Sequence, residues 1–297
     1  MGDNTTTVDT VKCKLCGSVT EPLGTKCGRL TGRPFHLHRC PECFFCFVAN
    51  PWTDYASIYN EDYYHGRGAD PWVDYTYEIE HPKRSIHVYE WQGVLDNIHA
   101  LTGVGSKTRW LDFGCGNGGL VRYCKRHVGA QMFGFEEGWI RSAISHLDIP
   151  LLSQADLSSC AASFDIITAI EVFEHIEDPV GTLALLRKLL KPGGLLFLTT
   201  GNPQPQLGRF LDWEYVYPEV HISYYAPQTM DRLLKAAGFR TEFRGYLPGF
   251  TGVIRYKVLK RLRMKKQALW EKGLPWPLIC RMIDQRMEIT RQPIAWG

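Results

Sequence analysis

Residues Leu111-Asp-Phe-Gly-Cys-Gly-Asn-Gly-Gly119 decide the fold of this chain. They follow an apolar run, Arg109–Phe113, that predicts a β-strand, and they precede a predicted helix, Leu120–His127. Glycines in such a turn let the backbone approach a ligand closely, and the helix N-terminus favours an anionic group. A second predicted strand, Gln131–Phe135, is followed by Glu136, whose carboxylate can accept hydrogen bonds from two ribose hydroxyls. Loop and acid together predict a nucleotide site within a β-α-β unit.

The stretch from 106 to 245 continues this alternation of strands and helices. Phe164–Ile170 is almost uniformly apolar, as a strand buried on both faces should be. Leu183–Lys191 predicts a helix that ends at Pro192-Gly-Gly194, and Leu195–Thr200 predicts the next strand. The pattern predicts an α/β fold with a mainly parallel sheet.

The acid that directly precedes the first glycine separates this loop from a dinucleotide-binding loop. Asp112–Gly118 resembles the first motif of the class I S-adenosylmethionine (SAM)-dependent methyltransferases, an acidic residue followed by G-x-G-x-G. Three later stretches resemble further motifs of that family: Gln154–Leu157, Phe164–Pro179 and Leu190–Phe197. The resemblance implies a Rossmann-like, seven-stranded, mostly parallel sheet with helices on both faces, and SAM as the cofactor.

The resemblance also assigns roles to residues. The first motif holds the methionine end of SAM in this family, which implies that role for Asp112 and for Gly114, Gly116 and Gly118. The acid at the position of Glu136 holds the ribose. Two further residues join the expected cofactor site, namely Asp156, beside the adenine amine, and Glu171.

An NAD-dependent oxidoreductase is the rival interpretation of the glycine loop. Its glycine pattern nearly fits, and Glu136 suits a ribose there as well. The chain has one Tyr-x-x-x-Lys stretch, Tyr256 to Lys260, but this lies beyond the predicted sheet.

Six of the ten cysteines lie in the first 46 residues. Cys13-Lys-Leu-Cys16 and Cys40-Pro-Glu-Cys43 form two C-x2-C pairs, and four thiolates at such spacing suit a tetrahedral structural Zn²⁺. Cys27 and Cys46 are left over, and either one could replace a ligand.

Composition and motifs divide the chain into four segments. The 297 residues are 44% hydrophobic and 22% charged, which excludes a disordered, collagen-like or heptad-repeat protein. We expect a zinc ribbon over 1–50, a helical lid or linker over 51–105, a SAM-binding core over 106–245 and a basic helical extension over 246–297. Within the second segment, apolar spacing predicts a helix over Lys83–Leu101.

A zinc ribbon, a Tyr-rich stretch (Tyr59–Tyr64) and a SAM core in this order look like a bacterial subgroup of methyltransferases. Members often act on sugars, glycans or other natural products. The Tyr-rich stretch tends to cover SAM in that subgroup, which makes Tyr63, Tyr64 and Tyr75 candidate lid residues; a plain aromatic core is the alternative.

Methyl transfer to a hydroxyl or an enolisable carbon needs a base. His221 is the first candidate, because its segment resembles one that often lines the acceptor pocket, and Tyr224 is the second. His175 follows a predicted central strand in Glu171-Val-Phe-Glu174-His175 and is a third candidate. If that stretch is helical, both carboxylates and the imidazole could share one face and bind a divalent metal, a pattern that also occurs in ubiquinone-pathway O-methyltransferases.

The C-terminal segment is basic. Residues 246–297 carry 11 Lys and Arg against three acids, while the whole chain has a net charge of +3. Such a segment can lie on an anionic membrane surface or meet a phosphate-bearing substrate; a solvated helix packed on the core is the alternative. A nucleic-acid substrate is disfavoured because the rest of the chain is slightly acidic. No stretch is apolar enough for a membrane span, and MGDNTTTVDTVK lacks signal-peptide features, so we expect a cytoplasmic protein.

These features predict a SAM-dependent methyltransferase with a structural zinc ribbon, acting at O or C of a sugar or glycan precursor or a related natural product. An aromatic or quinone O-methyltransferase is the alternative within the class. A SAM-binding module without turnover is the alternative outside enzymes.

Overall fold

The computed structural model describes residues 10–70, 74–244, 249–287 and 292–297. The strands are β1 (Glu21–Cys27), β2 (Pro34–Arg39), β3 (Cys46–Val48), β4 (Arg109–Phe113), β5 (Gln131–Phe135), β6 (Leu151–Leu152), β7 (Phe164–Ile170), β8 (Leu190–Thr199), β9 (Ser223–Tyr224), β10 (Arg240–Arg244) and β11 (Gln292–Trp296). The helices are α1 (Tyr55–Ile58), α2 (Glu61–Tyr64), α3 (Tyr75–Glu80), α4 (Val88–Leu101), α5 (Gly119–Val128), α6 (Trp139–Ala143), α7 (Gln154–Ser159), α8 (Pro179–Leu189), α9 (Pro227–Ala236), α10 (Phe250–Arg261), α11 (Leu269–Lys272) and α12 (Trp276–Met287). Two 3-10 segments, Phe173–His175 and Gln204–Asp212, complete the described elements.

The larger sheet has seven strands in the order β10-β11-β8-β7-β4-β5-β6. Its central strands β8, β7, β4, β5 and β6 are parallel, and β10 and β11 form an antiparallel edge. The predicted Rossmann-like, mostly parallel sheet is therefore confirmed. Strand order turns back at β4, which lies between β5 and β7, and ligands in such sheets bind at the carboxyl ends of the strands beside this point.

Several predicted boundaries differ from the observed ones. The helix expected over Leu183–Lys191 is α8, Pro179–Leu189, and Pro192-Gly-Gly194, which we expected to end it, lies inside β8. The helix expected over Lys83–Leu101 begins at Val88, because the backbone before it bonds to the C-terminal segment instead: Ser85 forms a bridge with Lys266. The strand expected from Leu195 begins at Leu190, because Leu190 pairs with Phe164 before a register irregularity in the ladder. Pairing with residues distant in the sequence decides where the helix α4 and the strand β8 begin, and the local spacing of apolar residues does not reveal such pairing.

The cysteine-rich segment is joined to the rest of the molecule. Strands β1, β2, β3 and β9 form a four-stranded antiparallel sheet, in which Cys46 pairs with Tyr224. Cys40 and Cys43 lie in one apolar cluster with Phe45 and Tyr225. Thr229 of α9 also donates a hydrogen bond to the carbonyl of Cys43 at 2.6 Å. The ribbon therefore packs as part of the core.

The C-terminal segment is helical over α10 to α12, and it also supplies a strand of the main sheet. Helix α10 packs against α4 where glycines replace side chains: a Cβ atom on Gly93 would collide with the carbonyl oxygen of Gly249. Strand β11 lies between β10 and β8, with Ile294 and Ala295 buried. The sheet therefore includes a strand from beyond residue 245, where we expected the core to end.

Among the described residues, no helix has both the length and the apolar character that crossing a membrane requires.

Candidate functional site

A cavity of about 1200 Å³ lies at the carboxyl ends of β4, β5 and β7. Its walls come from these strand ends, from helices α1 to α4 and from α10. Seven of the predicted site residues line it: Asp112, Gly114, Gly116, Glu136, Glu171, His175 and His221. Gly118, Asp156 and Tyr224 are not among its lining residues.

The glycine loop forms the floor of the cavity in a conformation that side chains would block. Gly114, Gly116 and Gly118 have φ angles of +76°, +53° and +68°. A Cβ atom on Gly114 would lie 2.6 Å from Val172 Cγ2, and one on Gly118 would overlap Ile149 Cδ1. Gly118 is the N-cap of α5, so its role is to shape the turn. The loop is a cradle of backbone at the start of a helix, as close approach of a cofactor requires.

Glu136 sits at the end of β5 with its carboxylate held in place. Its Oε2 accepts from the Gly116 N–H at 2.7 Å, and its Oε1 accepts from the Glu137 N–H at 2.9 Å. Burial raises the pKa of Glu136 to about 7, against the opposing effect of these two N–H groups. Each oxygen keeps a further lone pair for a hydroxyl donor, which is the geometry that a ribose diol needs.

Asp112 lies beneath the loop. Its Oδ1 accepts from Thr168 Oγ1 at 2.7 Å, and Thr168 Oγ1 in turn accepts from Trp110 Nε1 at 3.0 Å. Burial raises the pKa of Asp112 to about 7. The carboxyl is thus fixed by the strand beside it and lines the cavity.

Asp156 has a local structural role. Its Oδ2 accepts from the backbone N–H and the hydroxyl of Ser153, at 2.7 and 2.6 Å, and completes the capping box of α7. The side chain lies outside the cavity, and Gln154 of the same loop lines it instead. The structure thus brings the predicted loop to the cavity through a different side chain.

Glu171 has a positive φ of +52°, and its carboxylate is tied to the C-terminal segment. Oε1 accepts from Lys257 Nζ and from Thr199 Oγ1, both at 2.9 Å. Burial opposes ionisation of Glu171, but Lys257 outweighs it and lowers the pKa. Burial and the neighbouring Glu171 raise the pKa of Glu174, which shares the Tyr215 hydroxyl with it. Glu171 therefore holds the negative charge of the pair.

His175 and His221 face each other, with ring centroids 4.8 Å apart. His221 Nδ1 lies 2.6 Å from the carbonyl oxygen of Tyr215, and His175 Nδ1 lies 2.9 Å from that of Val220. Because a carbonyl only accepts, each Nδ1 carries the proton and each Nε2 keeps its lone pair. Burial lowers the pKa of both rings, that of His221 to about 3. Two neutral imidazoles with available Nε2 atoms can act as bases.

The same histidines lie close enough to a carboxylate to hold a metal. Glu174, His175 and His221 offer ligand atoms that all lie within 4.8 Å of one another. The sequence suggested Glu171 as the second carboxylate, but Lys257 and Thr199 occupy it and His221 takes its place. Two imidazoles and one carboxylate suit a transition metal better than Mg²⁺.

Tyr224 lies away from the cavity, whereas the three candidate lid tyrosines line it. Tyr224 is fully buried in β9, where its hydroxyl donates to the carbonyl of His221 at 2.8 Å. Tyr63, Tyr64 and Tyr75 all line the cavity, and the ring of Tyr75 lies 3.4 Å from where Gly116 would carry a Cβ atom. Of the three candidate lid residues, Tyr75 therefore lies directly over the glycine loop.

Sequence reasoning missed a buried charged cluster on the lid side. His87 Nδ1 lies 2.9 Å from the carboxylate of Glu78, and its Nε2 lies 2.6 Å from Glu90 Oε2. Burial disfavours the imidazolium, but the two carboxylates outweigh it and raise the pKa of His87 to about 9. Asn117 of the glycine loop donates to Glu78 at 2.5 Å. The cluster thus joins lid and loop; its members come from separate elements and share no sequence motif.

Three cations of α10 also line the cavity: Lys257, Lys260 and Arg261. Tyr215 lines it too, from an aromatic run that carried no signal in sequence. Helix α10 thus brings positive charge to the side where His175 and His221 lie.

The four predicted zinc ligands are brought together. The Sγ atoms of Cys13 and Cys43 and those of Cys16 and Cys40 are each 3.5 Å apart. Four sulfurs around one Zn²⁺ at ~2.3 Å are separated by ~3.8 Å, so the donor set fits a structural Zn²⁺. The leftover thiols of Cys27, in β1, and Cys46, in β3, are not in this group.

The chain is similar in sequence to known methyltransferases. The family model "Methyltransferase domain" matches residues 86–242. Two similar curated proteins are ubiquinone biosynthesis O-methyltransferases: one from Thiobacillus denitrificans, 30% identical over 44% of this chain and 64% of its own length, and one from Aromatoleum aromaticum, 30% identical over 58% and 79%. The chain thus spans just under two thirds of the first of them. A solved SAM-dependent methyltransferase from Archaeoglobus fulgidus is 18% identical with a TM-score of 0.45, covering 75% of this chain and 98% of that one.

Proposed function

The chain belongs to the methyltransferase-domain family, and from this premise we propose that it binds SAM in the cavity and transfers its methyl group to a hydroxyl oxygen of a small-molecule acceptor. The observation that carries the proposal is the pair of neutral imidazoles, His175 and His221, on the side of the cavity formed after β7. A sulfonium methyl supplies the electrophile when the cofactor is bound.

The fit of the cofactor rests on three features of the cavity. The positive φ angles of Gly114 and Gly116 open a backbone cradle. Glu136 presents a fixed carboxylate to the ribose hydroxyls. The rings of Tyr64 and Tyr75 contact each other, and the ring of Tyr75 lies over Gly116, where it would exclude water from a bound cofactor.

The protonation state of the two histidines indicates which residue can act as the catalytic base. A hydroxyl acceptor must lose its proton as the new C–O bond forms, and a neutral imidazole within hydrogen-bond reach can take it. His221 Nε2 is our first choice, because its Nδ1–H is fixed to the Tyr215 carbonyl and its tautomer is therefore set. His175 is held in the same way by Val220 and also contacts the Tyr59 hydroxyl at 2.9 Å.

The similar proteins and the residues that line the cavity both favour particular classes of acceptor. The similar proteins named above are ubiquinone biosynthesis O-methyltransferases, which supports an aromatic or quinone-type hydroxyl. Aromatic side chains line much of the cavity, and stacked aromatic rings favour such an acceptor. A sugar or glycan precursor is the second candidate, because polar side chains such as Glu137, Gln154 and Glu177 also line the cavity and can hydrogen-bond to several hydroxyls.

Calorimetric titration with SAM, S-adenosylhomocysteine and NAD⁺ tests the cofactor. We expect SAM and its product to bind and NAD⁺ not to bind. Glu136→Ala should weaken SAM binding about 100-fold, since two charge-assisted hydrogen bonds at about 1.5 kcal/mol each are lost. Asp156→Ala is the matched control and should leave binding within about threefold, because its carboxylate only caps α7. An equal loss of SAM affinity in both variants, or tighter binding of NAD⁺ than of SAM, would overturn the assignment of the cavity to SAM.

Methyl-labelled SAM supplied with soluble and membrane extracts of the source organism tests the transfer. His221→Gln should reduce labelling by about 10²- to 10⁴-fold, the usual contribution of a general base, while SAM affinity stays unchanged. Binding of SAM without any labelled product in either extract would instead favour a SAM-binding module without turnover.

A further inference from the structure

Large exposed apolar side chains are concentrated in one stretch of the C-terminal segment. Within 262–282 they are Leu262, Leu269, Trp270, Leu274, Leu278 and Met282. Leu269 is 89% exposed and Trp270 58% exposed. Elsewhere in the described chain such residues are scattered singly, which is ordinary for a protein surface. A concentration of this kind marks an interaction site. We call the exposed side chains of residues 261–282 the docking surface.

Helix α12 is apolar on both of its faces. Trp276 and Cys280 are buried in the cluster beneath it, together with residues of α10. Leu278 and Met282, four positions apart and therefore on one face, are 59% and 51% exposed. A surface helix normally keeps its outer face polar. The outer face of α12 is thus suited to a second apolar environment.

Helix α11 is held so that its apolar residues stay outside. Glu271 is fully buried between them and the core, where it accepts hydrogen bonds from Arg255 and from the Tyr89 hydroxyl. With Glu271 anchored inward, Leu269 and Trp270 project from a fixed turn. Their exposure is therefore built into the fold.

The docking surface is also strongly basic. Its exposed cations are Arg261, Arg263, Lys265, Lys266, Lys272 and Arg281, of which Arg261 pairs with Glu214 and Lys265 with Asp74 from elsewhere in the chain. The single acid of this stretch is Glu271, which is buried against Arg255. Apolar side chains among cations, with Trp included, have the composition that favours an anionic lipid surface. A second copy of the chain fits poorly, since a two-fold interface would set the same cations face to face.

The docking surface begins where the cavity wall ends. Arg261 is the last residue of α10 and lines the cavity together with Lys257 and Lys260. A bilayer touching the docking surface would therefore lie beside the basic wall of the cavity.

We propose that the docking surface binds an anionic lipid bilayer and brings the cavity to an acceptor held at the membrane. The delivery of an acceptor rests on the proposed methyl transfer; the binding of the bilayer does not. The apolar side chains enter the interfacial region, and the cations pair with lipid phosphates.

Vesicle flotation of the full chain tests the proposal, with pure phosphatidylcholine vesicles and with vesicles containing 30% phosphatidylglycerol. We expect at least tenfold stronger binding to the anionic vesicles, and a large loss between 0.1 and 0.5 M NaCl, since salt screens the cations. Each of Lys266→Gln and Lys272→Gln should weaken binding roughly fivefold. The double variant Leu269→Ser/Trp270→Ser should weaken it at least tenfold.

The double variant Leu30→Ser/Val180→Ser is the control, because it removes two apolar residues that are 50% and 54% exposed and do not belong to the docking surface. It should bind vesicles as the parent does. Equal binding to neutral and anionic vesicles, no binding to either, or equal loss in both double variants would overturn the proposal. So would a dimer that Leu269→Ser/Trp270→Ser dissociates.

Calorimetric SAM binding of the same variants keeps the two proposals apart. The docking variants should bind SAM like the parent, since Leu269 and Trp270 do not line the cavity. Intact SAM binding without vesicle binding would refute the docking surface alone, and vesicle binding without SAM binding would refute the cofactor assignment alone.

Discussion

Replacing Glu271 with Ala is expected to destabilise the junction between the core and the C-terminal segment. Glu271 is fully buried and accepts from Arg255 Nε at 3.0 Å and from the Tyr89 hydroxyl at 2.7 Å. The Arg255 guanidinium also lies over the ring of Tyr89, 3.7 Å from its centroid. The substitution would leave a cation and a hydroxyl without their acceptor.

Removing one partner of a buried ion pair costs about 3–5 kcal/mol, because the other charge stays behind uncompensated. The Arg255 side chain is 18% exposed, so water can partly solvate it in the variant. We therefore expect the lower end, a loss of about 3 kcal/mol in the free energy of unfolding. At roughly 2 °C for each kcal/mol in a chain of this size, the melting temperature should fall by about 6 °C.

Urea unfolding followed by circular dichroism measures this loss, and limited proteolysis reports whether the C-terminal segment opens first. Glu271→Gln keeps an acceptor for Tyr89 and should lose less than the Ala variant. Arg255→Met/Glu271→Met removes both charges and should recover most of the stability, since an apolar pair can replace a buried ion pair.

A loss below about 1 kcal/mol for Glu271→Ala would refute the reasoning, because it would mean that the pair is hydrated and contributes as a surface pair does. Additive losses for the two single variants at these positions would refute it as well, because residues in direct contact should show a coupling energy.

Three further predictions concern the zinc ribbon, the glycine loop and the base. Cys43→Ser should reduce bound zinc, measured by atomic emission, well below one ion per chain and lower the melting temperature; full zinc occupancy would contradict the cluster. Gly118→Ala should abolish SAM binding or destabilise the fold by more than about 1 kcal/mol, because the φ of Gly118 is +68° and the new Cβ would overlap Ile149. Gly103→Ala is the control: its Cβ would meet no atom within 4 Å, so SAM binding and stability should both be unchanged. Burial lowers the pKa of His221 to about 3, so its base form persists above that pH. The ratio of single-turnover rates between the parent and His221→Gln should therefore be the same at pH 5 and at pH 8, and a ratio that rises through pH 6.5 would contradict His221 as the base.

Local patterns in the sequence were enough to place the glycine loop and Glu136 beside each other at the cavity. The glycine loop and Glu136 lie within one β-α-β unit, so their distance in space follows from the connection between β4 and β5. The two C-x2-C pairs predicted the four-cysteine cluster in the same way, because two thiolates separated by two residues in a tight turn can bind one ion. In both cases the geometry is local and the residue types are chemically distinctive.

Asp156 and Tyr224 show that a sequence motif can identify the right segment but the wrong side chain. Each lies in a segment that the resemblance marked as part of the site. Asp156 bonds to Ser153 within its own turn, and the Tyr224 hydroxyl bonds to the carbonyl of His221. A motif identifies the loop, but the local hydrogen bonds decide which side chain enters the cavity.

By itself the sequence determined the parallel α/β sheet, the methyltransferase family and the four-cysteine cluster, because strand periodicity, glycine placement and cysteine spacing are local properties. Tertiary structure alone decided that Lys257 neutralises Glu171, that His87 lies between Glu78 and Glu90, and that the last strand inserts beside β8. These contacts join elements far apart in the chain. Their formation depends on burial and charge pairing across the packed core, which no local pattern encodes.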